Sequence, residues 1–200
     1  MDRDLYEKEM ISIGLDAVNM KYVSTVGGNM STRFGENFLI TATGVSLGDL
    51  GKSGSIVLID RRGNLLEDVP SKPSQESPIH LACYEARPDI NAVVHLHPLF
   101  STTLASIDEE IACLSFEQRF FLQNGYKVLP PLPPGSEKLK NAVASAIKDC
   151  DVLILKNHGC FSVGTNLKEA YYRIVDLENA AIATVIAKVY GKAIRLPDNP

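Results

Sequence analysis

Short segments rich in β-branched residues recur along this chain, and several connections between them are too short to hold a crossover helix. Residues 37–43 (NFLITAT) and 55–60 (SIVLID) are typical of strands, and the turn residues 61–64 (RRGN) follow the second directly. Parallel neighbours need a crossover of about a dozen residues or more, whereas antiparallel neighbours need only a turn. The sequence therefore predicts a mixed, largely antiparallel sheet.

Further strands and several helices are predicted around these segments. The additional strands are 90–96 (INAVVHL) and 152–155 (VLIL), and the segments with apolar residues at helical spacing are 4–20, 77–87, 136–148 and 166–191. Ser77 and Pro78 are predicted to begin the second helix. Asn166 and Glu169 resemble a capping box at the start of the last helix, and Gly191 is its predicted stop. We expect a three-layer α/β/α fold in which helices cover the central sheet.

The longest break in these patterns is the proline-rich segment 129–135 (LPPLPPG). Proline fixes φ and lacks an N–H, so the four prolines exclude a helix interior and a central strand here. We expect an extended surface connector inside one fold. The chain has no fixed-period repeat and no long low-complexity stretch, so residues 1–200 are expected to form a single domain.

Net charge and hydropathy indicate whether this protein is suited to bind nucleic acid or a membrane. The chain has 20 Lys and Arg against 24 Asp and Glu, a formal net charge of −4, so no general cationic field attracts nucleic acid or an anionic membrane. No apolar run approaches the roughly 20 residues of a membrane span, and we expect a cytoplasmic protein. The irregularly spaced cysteines are expected to be reduced core thiols: Cys83, Cys113, Cys150 and Cys160.

Three of the four histidines follow or end predicted strands. An extended strand projects residues i and i+2 from one face, so His95 and His97 can bind one ion together. His158 follows a second predicted strand and can supply a third nitrogen. Three neutral imidazoles leave a coordination position open, as catalytic zinc sites do. The alternative is a set of ordinary hydrogen-bonded or exposed histidines, and the fourth, His80, has no comparable partner.

Two further features lie upstream of these histidines. Glu76 lies just before the second predicted helix and can complete a metal site, although a carboxylate there is also typical of a helix-dipole or capping acid. The segments 27–31 (GGNMS) and 41–44 (TATG) combine glycine with small polar residues, so their N–H groups can cradle a phosphate. Neither segment matches a Walker or dinucleotide fingerprint, and an ordinary turn is the alternative.

Five ordered motifs together resemble one known family, the class II aldolase and epimerase superfamily. They are GGNMS (27–31), ITATG (40–44), SKPSQESPIH (71–80), AVVHLHP (92–98) and LKNHG (155–159). The resemblance extends from about Lys21 to Gly191 and is greatest to the L-fuculose-phosphate aldolases.

This resemblance implies a set of site residues. One divalent metal ion per subunit, usually zinc, is expected on His95, His97 and His158, with Glu76 as the acidic residue of the site. The residues that match the family's phosphate site are Gly28, Asn29, Gly44, Ser74 and Gln75. The implied substrate is a sugar phosphate.

The resemblance also implies a reaction, with one departure. The metal polarises the carbonyl of a ketose phosphate and stabilises the enediolate formed as the C3–C4 bond breaks, which releases dihydroxyacetone phosphate and an aldehyde. Glu76 is the base in the condensation direction. Phe116 occupies the position of a tyrosine proton donor and cannot donate a proton, so Glu117 is the expected substitute.

Several alternatives stay open at this stage. Methylthioribulose-1-phosphate dehydratases use a glutamate in the region of Glu117, and sugar-acid phosphate decarboxylases belong to the same superfamily. The epimerases of the superfamily carry aspartate at the position of Glu76, which disfavours an epimerase function for this chain. A metal-free association module is the non-enzymatic alternative, disfavoured by the retained histidines. Members usually assemble as tetramers with active sites between subunits, so a homotetramer is expected.

Overall fold

The computed structural model describes residues 2–191 and residue 196. Within these residues the strands are β1 (Asn29–Phe34), β2 (Asn37–Thr41), β3 (Ile56–Ile59), β4 (Ala92–Leu96), β5 (Tyr126–Leu129), β6 (Val152–Leu155) and β7 (Gly159–Gly164). The helices are α1 (Arg3–Asn19), α2 (Ser77–Ala86), α3 (Leu99–Ser106), α4 (Phe116–Phe121), α5 (Glu137–Ala146) and α6 (Leu167–Tyr190). The strands form one sheet in the order β3-β2-β1-β4-β7-β6-β5.

The sheet is antiparallel except at one edge. Strands β5 and β6 pair in parallel, and α5 provides the crossover between them, whereas every other neighbouring pair is antiparallel. The predicted mixed, largely antiparallel α/β fold is therefore confirmed.

Helices cover both faces of the sheet, because the strands at its centre are apolar on both sides. Successive residues of β4 show this: Val94 packs with the helices α1, α3 and α6, while Val93 packs with α2 and α5. Both valines are fully buried. Two hydrophobic cores result, one on each face, and β4 lies between them.

Three strands and two helices were not predicted from the sequence. Strand β1 (NMSTRF) lacks a simple alternation of apolar and polar residues, and β7 (GCFSVG) begins and ends with glycine, so neither has a strong strand pattern. Strand β5 ends at Leu129, immediately before the proline-rich segment, and lies at the edge of the sheet where the following prolines are tolerated. The short helices α3 and α4 were also not predicted.

Helix ends follow the sequence signals with one correction. Asn166 caps α6 through a hydrogen bond from the Glu169 N–H, and that helix ends at Gly191, both as predicted. Glu76, however, is the N-cap of α2, so Ser77 is its first helical residue rather than its cap.

All four cysteines are free, and three of them are buried while Cys113 is half-buried. Burial raises the pKa of the Cys83 and Cys160 thiols to about 12.

In the described part of the chain, no helix combines the length and apolar character needed to cross a bilayer.

Candidate metal centre

Three histidine side chains meet beside the middle of the sheet. His95 belongs to β4, His97 follows directly after that strand, and His158 lies in the tight turn between β6 and β7. Because β4 and β7 are antiparallel neighbours, the end of β4 lies beside the start of β7. The ring centroid of His95 is 4.8 Å from the centroids of both His97 and His158. The sheet thus brings together residues more than 60 positions apart in the chain.

The spacing of these side chains fits one small cation. The ligand atoms of His95, His97 and His158 all lie within 4.8 Å of one another. The Nε2 atom of His95 is 3.0 Å from Nε2 of His97 and 3.2 Å from Oε2 of Glu76. Two ligand atoms on a tetrahedral zinc ion lie about 3.3 Å apart, as the usual Zn–N bond length requires.

Two buried atoms of this cluster lack hydrogen-bond partners among the described residues. They are Oε1 of Glu76 and Nδ1 of His158. The same Glu76 oxygen lies 3.7 Å from Nε2 of His158. A buried carboxylate oxygen without a donor is costly, and a cation beside it removes that cost. The donor set of three imidazoles and one carboxylate therefore fits a divalent metal ion.

The surroundings of His95 and His97 favour their neutral form, which is the form that binds metal. Burial is the largest cause that lowers the pKa of His95 far below its usual value, with His97 and His158 as further causes. Burial followed by the charge of His158 lowers the pKa of His97. His95 also donates from Nδ1 to the carbonyl oxygen of Cys160 at 2.9 Å, which leaves its Nε2 lone pair facing the cluster.

Glycines allow the backbone to approach these rings closely. A Cβ atom on Gly159 would lie 2.4 Å from the carbonyl oxygen of Leu96 and 2.6 Å from Cδ2 of His97. A Cβ atom on Gly27 would lie 2.9 Å from Nδ1 of His97. Neither glycine was among the individually predicted site residues, although Gly27 belongs to the segment predicted to cradle a phosphate and Gly159 to the LKNHG motif.

The predicted phosphate residues line one hollow of about 230 Å³ beside the histidines. It contains every residue of that prediction, namely Gly28, Asn29, Gly44, Ser74 and Gln75. Hydrogen bonds from Thr43 N to Lys72 O and from Ser74 N to Thr41 O hold its two walls together. Glu76, His97 and His158 line the same hollow. No Lys or Arg belongs to the described residues of this lining.

The proline-rich segment also reaches this hollow. Pro134 and Gly135 are part of the lining, a position that its sequence pattern did not reveal. A second hollow, of about 400 Å³, adjoins His97 and His158 and is lined mainly by α3. The cluster of histidines therefore faces space on the phosphate side and on the side of α3.

Glu117 lies apart from the hollows of its own chain. It occupies the first turn of α4, which Ser115 and Gln118 begin with a capping box. Its side chain is exposed, and its charge is the second cause, after burial, that raises the pKa of Asp176. Neither Phe116 nor Glu117 lines the two hollows beside the histidines. Its predicted part in proton transfer is thus not accounted for within one chain.

His80 has partners that its sequence context did not indicate. It is fully buried on α2, and its two ring nitrogens lie 2.6 Å from Oδ1 of Asn29 and 2.7 Å from Oγ of Ser31. Burial lowers the pKa of His80 to about 3, so its ring is neutral near pH 7. The available signal was its place one helical turn after Glu76, on the same side of α2.

Comparisons with known proteins agree with this arrangement. Residues 8–185 match the family model described as the class II aldolase and adducin N-terminal domain. The chain is 39% identical to an L-fuculose phosphate aldolase of Methanocaldococcus jannaschii, over 90% of this chain and 96% of that protein. A solved L-fuculose 1-phosphate aldolase is 28% identical and superposes with a TM-score of 0.87 over 99% of this chain and 92% of its own.

A relative with a different reaction is also similar. The chain is 34% identical to a 3-oxo-tetronate 4-phosphate decarboxylase of Haemophilus influenzae, over 89% of this chain and 86% of that protein. Class II aldolases use a divalent metal ion, and the histidine cluster is compatible with one. The resemblance predicted from the motifs is confirmed, and this chain belongs to the class II aldolase family as an enzyme of the metal-dependent type.

Proposed function

We propose that this protein is a zinc-dependent aldolase that cleaves a short ketose 1-phosphate, similar to fuculose 1-phosphate, into dihydroxyacetone phosphate and an aldehyde. The observation that carries the proposal is the meeting of Glu76 with His97 and His158 on the wall of one hollow that also contains Asn29 and Ser74. Metal ligands, a base and phosphate donors are thereby within reach of one small substrate.

Neutral groups bind the substrate phosphate in this proposal. Asn29 offers a side-chain N–H, Ser74 offers a hydroxyl, and Gly44, which lines the hollow at a φ of 73°, is proposed to contribute its backbone N–H. With no Lys or Arg among the described lining residues and a net charge of −4, binding depends on these local dipoles rather than on a general field. Gly28 and Gln75 complete the wall.

Zinc is the proposed ion because three imidazoles and one carboxylate form a donor set that it favours. When bound, the ion supplies Lewis acidity to the carbonyl and neighbouring hydroxyl oxygens of the ketose. The side chains of His95, His97 and His158 would hold it, and Glu76, whose Oε2 lies 3.2 Å from Nε2 of His95, would be the fourth ligand. The sugar carbons beyond the broken bond extend toward the second hollow, beside α3.

Glu76 is the proposed base. Its Oε2 accepts a hydrogen bond from Nδ2 of Asn29 at 2.8 Å, whereas Oε1 has no hydrogen-bond partner among the described residues and would take up a proton once a bound substrate had displaced it from the ion. In the condensation direction Oε1 removes a proton from the hydroxymethyl carbon of dihydroxyacetone phosphate. In cleavage the C3–C4 bond breaks, and the same oxygen returns the proton to C3.

The proton of the C4 hydroxyl needs a separate acceptor, and we propose Glu117 for it. Because Glu117 lines neither hollow of its own chain, this role requires that α4 of one subunit faces the metal centre of another. We therefore propose a cytoplasmic homotetramer with active sites between its subunits, each subunit being one domain.

Decarboxylation is a second candidate, favoured by the 34% identity to the Haemophilus decarboxylase. Loss of CO2 from a 3-oxo acid phosphate leaves the same kind of electron pair beside a carbonyl, so the same ligands serve both reactions.

Product analysis separates the candidates. The zinc-loaded protein is incubated in parallel with deoxyhexulose and pentulose 1-phosphates and with a 3-oxo-tetronate 4-phosphate. Dihydroxyacetone phosphate from a ketose phosphate supports the aldolase, a dehydrated diketone supports a dehydratase, and CO2 from the 3-oxo acid supports the decarboxylase. Failure of every ketose phosphate to yield dihydroxyacetone phosphate would contradict the proposed reaction.

A further inference from the structure

A series of hydrogen bonds runs from Tyr84, near the C-terminal end of α2, to the candidate metal centre. The hydroxyl of Tyr84 lies 2.9 Å from Oγ of Ser31, and Oγ of Ser31 lies 2.7 Å from Nδ1 of His80. Nε2 of His80 lies 2.6 Å from Oδ1 of Asn29, and Nδ2 of Asn29 lies 2.8 Å from Oε2 of Glu76. None of the five residues joined by these hydrogen bonds is more than 9% exposed.

Glu76, at one end of this series, determines which atom donates and which accepts in every one of these hydrogen bonds. A carboxylate oxygen only accepts, so the Asn29 atom that faces Glu76 is the amide nitrogen, and the amide oxygen consequently faces His80. His80 must then donate from Nε2. Because its ring is neutral, Nδ1 carries no proton and accepts from the Ser31 hydroxyl. With its proton used in this way, Ser31 accepts from the hydroxyl of Tyr84.

We propose that His80 is a positioning residue which, as the Nε2–H tautomer, locks the side-chain amide of Asn29 so that its N–H groups face Glu76 and the phosphate hollow. The inference rests in part on the proposed function, since it assigns a use to the phosphate hollow. An amide has two orientations of nearly equal shape, and in the flipped one the oxygen would face a carboxylate and an anionic ligand. The His80 donor disfavours that orientation.

The tautomer of His80 can be determined directly in the wild-type protein. Long-range ¹H–¹⁵N spectra of the zinc-loaded, ¹⁵N-histidine-labelled protein distinguish an Nε2–H ring from an Nδ1–H ring. The chain contains only four histidines, and the signal that disappears in His80→Gln is assigned to His80. We expect the Nε2–H pattern. An Nδ1–H ring or a doubly protonated ring would overturn the proposal, whatever the enzyme's substrate is.

Two substitutions test the donor itself. The amide nitrogen of a glutamine reaches about the position of histidine Nε2, whereas asparagine is shorter and reaches only the position of Nδ1. His80→Gln therefore keeps a donor to Asn29, and His80→Asn loses it.

Inorganic phosphate is the probe, titrated calorimetrically into each zinc-loaded protein. Loss of one hydrogen bond that orients a buried polar group is expected to weaken phosphate binding by about tenfold in His80→Asn and by no more than about threefold in His80→Gln. Zinc content is expected to stay at that of the wild type. Equal phosphate affinity in His80→Asn and the wild type, or equal loss in both variants, would contradict a role for the donor.

These readouts separate the inference from the proposed function. If the wild-type protein forms no dihydroxyacetone phosphate but has the Nε2–H tautomer and the two variants differ in phosphate affinity, the aldolase reaction fails and the positioning role stands. If turnover is found but His80 is an Nδ1–H ring, the reverse holds. The tautomer measurement on the wild type also decides the proposal when His80→Asn does not fold.

Discussion

At the scale of single residues, the close packing of the backbone against the histidine rings depends on glycine residues. Gly159 has no room for a Cβ atom, since the nearest neighbours would be the backbone oxygen of Leu96 at 2.4 Å and the His97 ring at 2.6 Å. Backbone cannot move aside as a flexible side chain can, so a larger residue here must displace β4 or the His97 ring.

Gly159→Ala is therefore expected to weaken zinc binding by about tenfold or more, because displaced supporting groups typically cost that much metal affinity. Competition with a chromophoric chelator measures the affinity. Gly51→Ala is the matched control, since a Cβ atom there meets nothing within 4 Å. Unchanged zinc affinity in Gly159→Ala would show that the ring does not depend on this contact.

Glu76→Gln tests the base at the same scale. The amide retains the shape of the carboxylate but cannot take a proton, so the rate of turnover is expected to fall by about a hundredfold or more. The three histidines remain, and zinc is expected to stay bound, as metal analysis of the purified variant can establish. Glu85→Gln, at an exposed position on the same helix, is the control. A near-normal rate in Glu76→Gln would remove the base assignment.

At the scale of the elements, α6 stabilises α3, the helix that follows His95 and His97. Pro98 begins α3 and offers no side-chain cap. Glu178 of α6, only 2% exposed, instead accepts the N–H groups of Phe100 and Ser101 at 2.7 and 2.8 Å. A buried carboxylate at a helix N-terminus satisfies free N–H groups and interacts favourably with the helix dipole.

Removal of this remote cap is expected to destabilise the fold. Glu178→Ala removes the acceptor of both N–H groups, of which that of Ser101 belongs to a fully buried residue, and is expected to lower the free energy of unfolding by about 2 kcal/mol or more. Urea denaturation followed by circular dichroism provides the measurement. Asn179→Ala, the exposed neighbour on α6, is expected to change stability little. Equal stability of the two variants would refute the capping role.

At the scale of the whole molecule, the metal centre combines pieces from the two sides of β4 in the sheet. Asn29 begins β1 and lies directly opposite His95 of β4, while His158 arrives through the β6–β7 turn on the other side. Glu117 is the exception, because α4 packs against α6 and away from these pieces. A shared site between subunits is the arrangement that gives Glu117 a part in the reaction.

Mixed oligomers test this arrangement. Glu76→Gln and Glu117→Gln chains are each expected to be inactive alone. If each site takes Glu76 from one chain and Glu117 from another, an equal mixture of the two variants contains about a quarter of intact sites and regains that share of wild-type turnover. Co-expression with two affinity tags yields such mixtures. No recovery in a mixture that does contain both chains would place the site within one subunit, and a fully active Glu117→Gln protein would remove Glu117 from the mechanism.

Some features could be predicted because they depend on the spacing of residues close together in the sequence. They are the His95 and His97 pair, the two ends of α6 and the antiparallel character of the sheet. His95 and His97 share a face because they are two residues apart, and Asn166 caps α6 because Glu169 follows it by one turn. His158 was predicted as a third ligand from its place after a second predicted strand, and the family motifs added the individual phosphate residues.

Contacts between segments far apart in the sequence could not be predicted from such patterns, because these contacts depend on the register of strands and the packing of helices. His80 looked isolated along the chain, yet the register that sets β1 beside β4 brings Asn29 and Ser31 to both of its ring nitrogens. The same packing leaves Glu117 outside the hollows of its own chain. Local spacing was sufficient to predict that His95 and His97 share a face, whereas only the folded sheet and its helices decided that His158 and Glu76 meet them and which side chains orient the cluster. The reason is that hydrogen bonds and ligand clusters join atoms that meet in space and not in sequence.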